Sequence, residues 1–337
     1  MRTTLKVWIL ITIIAGLVLS GCTTATPVIT EVSTGTATLT PEIVLSATPS
    51  ASSTEKLVIF APASTSSIPV LLAASKLENV EVTLYTNHSQ ANTLFLRGDV
   101  SILVTGLSVG ADMYQNGAPV QIINSFVSGL SYLLTYGKPV NNWAELKGQK
   151  IYIPFEGSPI EETTAFLIGQ AGLEYKTDIT PVYSPFDSSV QLLKEGKAGA
   201  VVLPEPFVTL VEGNPNVYIS LSYFDEWNEA TGTDLGYPQV GSFVNREWAQ
   251  THAAEIAEFN QALGEAIERV ESYPSESVET VQSYFKLPAE LLRKSLNRTR
   301  YHLVTGQEMV DSITFYYQSI GKPRDEKSSE FYYLVTQ

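Results

Sequence analysis

The sequence has very little cysteine or histidine, with one cysteine, Cys22, and three histidines among 337 residues. A single cysteine allows neither a disulfide bond within the chain nor a cysteine-based metal site. The histidines do not form His-Glu-x-x-His or a close pair, and the phosphate-binding pattern Gly-x-x-x-x-Gly-Lys-Ser/Thr is missing. We therefore expect no catalytic residue, no metal site and no cofactor.

Positive charge is also scarce. The chain has 21 Lys and Arg against 35 Asp and Glu, which gives a formal net charge of -14 and a pI near 4.7. An acidic surface repels the phosphate backbone of nucleic acids. We therefore expect no nucleic-acid partner, and we expect the protein to be a monomer.

The N-terminal region lacks an apolar run long enough to span a membrane. The run from Val7 to Leu19 has about 13 residues, whereas a spanning helix needs about 20. Arg2 and Lys6 precede this run, and small residues follow it. That order predicts a cleaved secretory signal peptide over residues 1–21, with an uncleaved signal anchor as the alternative.

The segment Leu19-Ser20-Gly21-Cys22 resembles the lipobox of bacterial lipoproteins, in which the cysteine is acylated and becomes the first mature residue. Residues 22–54 then consist mainly of Thr, Ser, Ala and Pro with almost no charge. Such a segment cannot bury enough apolar surface to offset its ordering entropy, so we expect a disordered tether. The protein is thus predicted to be extracytoplasmic and anchored to the cell membrane through lipid, such as palmitate, on Cys22.

From residue 55 onward, short apolar segments of strand character alternate with helical segments. This alternation is typical of an α/β protein with mainly parallel sheets. A second alternating block begins at Trp143, and the chain is chiefly helical from Trp248 onward. We expect two lobes with a cleft between them and a helical C-terminal tail.

Three loops that follow predicted strands are rich in small or hydroxyl-bearing residues. They contain Ser64, Thr65, Ser66 and Ser67; Thr105 and Gly106; and Gly157 and Ser158. In open α/β sheets, ligands bind beyond the carboxyl ends of the strands. Each loop precedes a predicted helix, so each can offer free backbone N–H groups and the positive end of a helix dipole to a ligand. The alternative is that the hydroxyls only cap the helices.

A single carboxylate and a pair of carboxylates also follow predicted strands. Glu205 lies between Pro204 and Pro206, which restrict the backbone at the end of a buried strand. Its carboxylate can accept hydrogen bonds from a ligand amine, or it can be a structural partner of a backbone N–H. Glu161 and Glu162 are adjacent on a predicted helix, where they point apart, so we expect them on a solvated face.

Several short segments, in their order and spacing, resemble the solute-binding proteins of ABC importers, in the branch that includes nitrate, sulfonate, taurine and thiamine-pyrimidine binders. The segments are Phe60-Ala61-Pro62 with Ile68-Pro69-Val70, Gly98-Asp99-Val100-Ser101-Ile102 with Thr105-Gly106, Trp143 to Ile151 with Gly157-Ser158, Leu203-Pro204-Glu205-Pro206-Phe207, and Val244 to Trp248. The resemblance extends over about 280 residues, the length of one large domain or two lobes.

The resemblance implies a two-lobed periplasmic-binding-protein fold of type II, with residues 55–134 and 240–337 in one lobe and 135–239 in the other. It implies capture of a small solute in the cleft by hinge closure, followed by delivery to the permease and ATPase of an importer. The ligand residues carried over are Ser64 to Ser67, Thr105, Gly106, Gly157, Ser158 and Glu205. These loops contain no Lys or Arg, but backbone amides can hold nitrate or a sulfonate without a cation, so anions stay open. Because Glu205 would disfavour an anion if it faces the cleft, we favour a small neutral or aminated organic solute, stacked on tyrosine.

Two alternatives remain open at this point. A ligand sensor that signals to a membrane partner has the same sequence features as an importer component, and the neighbouring genes would distinguish them. An enzyme on the same fold, such as the pyrimidine synthases, resembles this family as well. The cysteine-rich metal motif of those enzymes has no counterpart in a chain with one cysteine.

Overall fold

The computed structural model describes residues 56–323 and 326–334. The predicted signal peptide over residues 1–21, the tether over 22–54 and the lipid site at Cys22 lie outside the described residues. Within the described ranges, no helix combines the length and the apolar character needed to cross a membrane.

Strands and helices alternate along the described chain, as the sequence predicts. The strands are β1 (Leu57–Pro62), β2 (Val80–Tyr85), β3 (Ile102–Gly106), β4 (Val120–Gly129), β5 (Ser131–Tyr136), β6 (Lys150–Ile153), β7 (Thr180–Tyr183), β8 (Ala200–Pro204), β9 (Val217–Ser222), β10 (Val240–Asn245) and β11 (Arg300–Val304). The helices are α1 (Ser67–Ala74), α2 (His88–Leu96), α3 (Leu107–Gln115), α4 (Pro159–Gln170), α5 (Phe186–Lys194), α6 (Phe207–Val211), α7 (Tyr223–Thr231), α8 (Arg246–Thr251), α9 (Ala253–Ser272), α10 (Pro274–Val281), α11 (Ala289–Leu296) and α12 (Gly306–Ser319).

The strands of the described residues form two sheets. The first has the order β11-β4-β10-β3-β1-β2, and the second has the order β7-β6-β8-β5-β9. The expected two-lobed α/β fold is confirmed, and we name the first and second lobes after these sheets. The predicted boundary between residues 134 and 135 falls inside β5, all of which pairs within the second sheet.

Among the described residues, the first sheet contains two reversed strands, β10 and β11, and the second contains one, β5, which the expectation of mainly parallel sheets did not include. β10 runs antiparallel to both β3 and β4, and β5 runs antiparallel to both β8 and β9. The chain crosses from β4 to β5 at Leu130 and returns to β10 just after Gln239. Both strands begin at the edge where their neighbours end, as the pairs Val240–Gly106 and Ser131–Pro204 show, so they must run in the opposite direction.

The helical tail covers the first sheet. Along α9, the buried residues Ile256, Phe259, Leu263, Ile267 and Val270 recur every three or four positions and form one apolar face. This face shares a core with the apolar residues of α1 and β1. α9 therefore packs on the first lobe, whereas Tyr316 of α12 packs against Trp227 and Tyr237 of the second lobe.

Candidate functional site

A cavity of about 440 Å³ lies between the two sheets. Its lining follows the carboxyl ends of β1, β2 and β3 in the first lobe and of β6, β7 and β8 in the second lobe. Leu130 and Gln239, from the two crossing segments, complete the wall. This is the position at which open α/β sheets bind ligands.

The wall of the cavity is largely apolar. The apolar side chains lining it include Leu130, Phe155, Ile160, Phe186 and Phe207. No lysine or arginine of the described chain lines it. A compact solute with an apolar body therefore fits this wall, and its polar groups must find the few polar atoms that the wall offers.

The structure brings together part of the set of ligand residues predicted from the sequence. Ser64, Ser66, Thr105, Gly106 and Ser158 line the cavity. The remaining members, Thr65, Ser67, Gly157 and Glu205, do not contribute to its lining.

The hydroxyl run after β1 divides into residues that face the cavity and residues that face the protein. The hydroxyls of Ser64 and Ser66 bond to each other at 2.7 Å and lie in the cavity wall. Thr65 Oγ1 bonds to Thr299 Oγ1 at 2.9 Å, and the Ser67 hydroxyl donates to the carbonyl of Pro62. Ser64 is thus the more accessible of the first pair, because Ser66 is itself fully buried, whereas the second pair fastens the loop.

The start of α1 offers fewer free amides than the sequence suggests. The N–H groups of Ser67 and Ile68 donate to the carbonyl oxygens of Ser64 and Thr65, each at 3.1 Å. Pro69, the next residue, has no N–H. A ligand at this helix start therefore meets hydroxyls more than backbone donors.

Ser158 caps α4, as the simpler prediction proposed. Its Oγ accepts the N–H of Glu161 at 3.1 Å, and the N–H of Gly157 donates to Glu161 Oε2 at 2.6 Å. Gly157 has a φ of +77° and lines a neighbouring hollow. Because a Cβ on Gly106 would lie 2.9 Å from Pro159 Cγ, glycine there lets the starts of α3 and α4 approach across the cleft.

Glu205 is a structural group in this conformation, because protein donors surround its carboxylate. The side chain is fully buried and accepts the N–H and the hydroxyl of Thr209, both at 3.1 Å. Arg298 Nη1 lies 3.3 Å away. Burial raises the pKa of Glu205 to about 6, and the bonds from Thr209 and Arg298 act in the opposite direction.

The expectation that Glu161 and Glu162 lie on a solvated face is wrong. Each carboxylate side chain is only 8% exposed. They do point apart: Glu161 accepts the hydroxyl of Tyr183 at 2.6 Å, and Glu162 accepts Lys322 Nζ at 2.8 Å. The physical reason is that α4 is covered on two sides, by the second lobe at Glu161 and by the first lobe at Glu162.

Three buried polar atoms of the cavity residues have no hydrogen-bond partner in the described part of the protein: His88 Nδ1, Thr105 Oγ1 and Gln239 Oε1. The Tyr85 hydroxyl donates to the carbonyl of Val104 at 2.8 Å, and the neighbouring Thr105 hydroxyl opposes the rise that burial causes in the Tyr85 pKa. Burial lowers the pKa of His88, which keeps its ring neutral near pH 7. Since buried polar atoms are normally paired, these three are candidates for contact with a ligand.

His88 and Gln239 were not among the residues predicted from the sequence. His88 begins α2 directly after β2, so the rule of strand ends that selected the other loops would also have selected it. Gln239 precedes β10, a strand that the sequence pattern did not reveal. No comparable local signal points to Gln239, because its place in the wall depends on the return crossing.

One sequence pattern near the cavity is shared with a class of enzymes. Residues 106–110 have the spacing Gly-x-Ser-x-Gly, which in α/β-hydrolases presents a nucleophile on a sharp turn. Here Ser108 lies inside α3, is 1% exposed and donates its hydroxyl to the carboxylate of Glu162. This bond joins the start of α3 to α4.

The described residues contain no group of three or more His, Cys, Asp or Glu side chains placed to hold a metal ion.

No protein-family model and no curated protein matches the sequence. Similar folds are found among solved structures. The periplasmic aliphatic sulphonate-binding protein SsuA of Escherichia coli is 19% identical, with a TM-score of 0.67 over 84% of this chain and 93% of that one.

A ligand-binding component of an ABC-type import system from Staphylococcus aureus, with zinc bound, is 14% identical. It has a TM-score of 0.68 and covers 83% of this chain and 97% of its own. This chain has the periplasmic-binding-protein fold. A Candida albicans protein with the generic periplasmic-binding-protein fold has a TM-score of 0.63 and 14% identity, over 84% of this chain and 98% of that one. The fold therefore also occurs beyond bacterial importers.

Proposed function

We propose that this protein is the extracytoplasmic solute-binding component of an ABC importer, which captures a small organic solute between its lobes. The observation that carries the proposal is the cavity at the carboxyl ends of both sheets, whose lining residues hold three unpaired buried polar atoms. The solved ABC import-system components with the same fold support it.

The proposed mechanism is binding followed by hinge closure, without covalent chemistry. The chain passes between the sheets at Leu130 and again next to Gln239, so rotation about these two segments opens the cavity. The proposed lobes follow the predicted ranges, 55–134 with 240–337 and 135–239, except that the first boundary moves to Leu130 so that β5 stays whole in the second lobe. Closure brings Ser64, Ser66 and Thr105 of the first lobe and Ser158 of the second around one solute.

The proposed partners follow from the same role. The permease and ATPase of an importer would receive the solute from the closed form. The lipobox-like segment before Cys22 supports a lipid anchor, and residues 22–54 would tether the folded part near the permease. Stable anchoring needs at least two acyl chains, because one chain binds a membrane only marginally.

The candidate solutes are those of the family that the sequence resembles: nitrate, sulfonates, taurine and pyrimidine-type compounds. A thermal-shift screen over these classes, with polyamines added, tests the proposal. A solute present at 100 times its Kd should raise the free energy of unfolding by about 2.7 kcal/mol. If no compound of any class shifts the melting temperature, the proposal fails.

A pair of variants places the binding in the cavity. Ala63 lines the cavity, whereas Ala254 is exposed on α9. Ala63→Trp fills the cavity and should abolish the ligand-induced shift, and Ala254→Trp should retain it. An equal shift in both variants would show that the solute binds elsewhere.

A further inference from the structure

We propose that Gln239 determines the specificity of this site, and that it selects solutes which carry an N–H or O–H donor and no negative charge. The inference rests on the proposed solute-binding function and concerns the class of solute. Two observations support it. Gln239 lines the cavity, and its buried acceptor atom Oε1 has no hydrogen-bond partner in the described protein. The second observation is the distribution of charge around the cavity.

Gln239 is held in place by bonds to three different segments. Its Nε2 donates to Ser131 Oγ at 2.7 Å, its backbone N–H donates to the Val127 carbonyl at 2.9 Å, and its own carbonyl accepts the Leu107 N–H at 3.0 Å. The residue is 4% exposed. The bond from Nε2 to Ser131 sets the orientation of the amide and leaves Oε1 without a donor among the described residues.

The unpaired Oε1 distinguishes between ligands in a way that the other two unpaired atoms do not. A threonine hydroxyl and a neutral imidazole can each donate or accept, depending on rotation or tautomer. An amide oxygen only accepts. Of the three atoms, only Gln239 Oε1 therefore requires a donor from the ligand and repels an anionic oxygen.

Carboxylates already occupy the helix starts of the second lobe. Glu161 and Glu162 lie in the first turn of α4, Asp187 lies in the first turn of α5, and Glu205 accepts the Thr209 N–H of α6. Negative charge at these positions uses the positive ends of the helix dipoles. A sulfonate or carboxylate would add to existing negative charge on this side.

The first-lobe side does not compensate for this charge. α1, α2 and α3 have no acidic residue in the first turn, but their starts are partly satisfied within the protein. Asn87 Oδ1 accepts the Gln90 N–H at 3.0 Å, and the Gln239 carbonyl accepts the Leu107 N–H. Without a lysine or arginine among the described lining residues, an anion would meet only weak stabilisation.

The test uses matched probes that share one ring and differ in a single group: benzamide, benzoate and benzenesulfonate. The full-length protein is incubated with these probes as part of a defined mixture. The mixture contains uncharged amides, heteroaromatic compounds and alcohols, each with its carboxylate and sulfonate counterpart. Native mass spectrometry identifies the retained compounds, and calorimetry measures their Kd. We expect retained compounds to be uncharged or cationic donors, with the matched anions bound at least about tenfold more weakly.

Gln239→Leu removes the acceptor and should weaken binding of a retained donor by about tenfold to a hundredfold, because the donor is left unpaired. Gln239→Glu keeps an acceptor and should bind aminated compounds at least as tightly as the wild type. Gln121→Leu is the matched control, since the Gln121 amide donates to the Glu330 carbonyl instead. The melting temperature of each ligand-free variant shows whether it is folded.

The outcomes separate this inference from the function on which it rests. Anions bound as tightly as their uncharged counterparts, or an unchanged Kd in Gln239→Leu, would overturn the inference while leaving the solute-binding function intact. An equal loss in Gln239→Glu and Gln239→Leu would assign the contact to the amide nitrogen and would also overturn it. If no compound of the mixture binds, the solute-binding function fails and the inference fails with it.

Discussion

The wall of the cavity and the junction between the lobes handle polar groups in opposite ways. We define the junction by two carboxylates of the second lobe, Glu162 and Glu205, and their partners in the first lobe. Glu162 accepts Ser108, Tyr316 and Lys322, and Glu205 pairs with Arg298. In the wall, by contrast, polar atoms of three residues lack a partner in the described protein.

The two regions therefore differ in where charged groups lie and in what pairs with them. At the junction, buried carboxylates are matched by donors of the opposite lobe, so their charge is paired within the protein. In the wall, charge is nearly absent and the unpaired atoms are neutral, so their pairing is left to a solute. Variants of the junction should therefore change folding stability, and variants of the wall should change binding.

The largest expected effect is at Arg298. Arg298→Met leaves Glu205 buried without its cation, which should lower the free energy of unfolding by about 3–5 kcal/mol at pH 8. At pH 5 the loss should be smaller, because Glu205 can then bind a proton. Urea unfolding at both pH values measures this, with Arg293→Met, an exposed cation on α11, as the control. An equal loss at both pH values would contradict a charged Glu205 as the cause.

The next effect is the pH dependence of stability at Glu205. Its pKa rises from the ordinary value of 4.5 to about 6 in the folded protein. Between these values the folded chain holds a proton that the unfolded chain releases, so the contribution of Glu205 is fully present below pH 4.5 and is lost as the pH rises through 6. The loss should be about 2 kcal/mol.

Glu205→Gln isolates this contribution from the other carboxylates, because it removes only one titrating group. The stability difference between wild type and variant, measured by urea unfolding from pH 4 to 7, should move against the wild type as the pH rises. A difference that is constant across this range would contradict the raised pKa.

A smaller effect is expected at the second junction carboxylate. Glu162→Gln keeps the shape but weakens the bonds from Tyr316 and Lys322, which should lower the free energy of unfolding by about 1–2 kcal/mol. Glu279→Gln, at an exposed position of α10, is the control and should stay within about 0.5 kcal/mol of the wild type. Equal results for the two variants would show that Glu162 does not couple the lobes.

The smallest effect on stability should be in the wall. Thr105→Val removes an unpaired hydroxyl and keeps the shape, so the free energy of unfolding should change by no more than about 0.5 kcal/mol. Binding of a retained solute should weaken severalfold, as calorimetry can show. A stability loss above about 1.5 kcal/mol would mean that the hydroxyl is paired within the protein.

Local patterns predicted the parts of the fold that local forces determine. β2, Val80–Tyr85, alternates between polar and apolar residues along consecutive positions, which is a pattern that predicts a strand without any distant partner. β5 and β10 were missed, because their role as reversed strands depends on the crossings between sheets. The site follows the same rule. Its residues that lie directly after strand ends were predicted from the sequence: Ser64, Ser66, Thr105, Gly106 and Ser158.

The carboxylates show why the remainder of the site could not be predicted. The sequence places Glu205 at a strand end as a candidate for ligand contact and Glu162 on a solvated face. Their surroundings come from residues more than 90 positions away, Arg298 for Glu205 and Lys322 for Glu162. No local sequence pattern predicts a partner that far along the chain. The position of both carboxylates at the junction can therefore be seen only in the folded structure.

The most direct test of the central claim is the crystal structure of the protein with a solute that it retains from the defined mixture. We predict density for that solute between the lobes, with one of its donor atoms within about 3.2 Å of Gln239 Oε1. A solute bound outside this cavity would contradict the account. An anionic solute held there by backbone amides, with Gln239 Oε1 still unpaired, would contradict it equally.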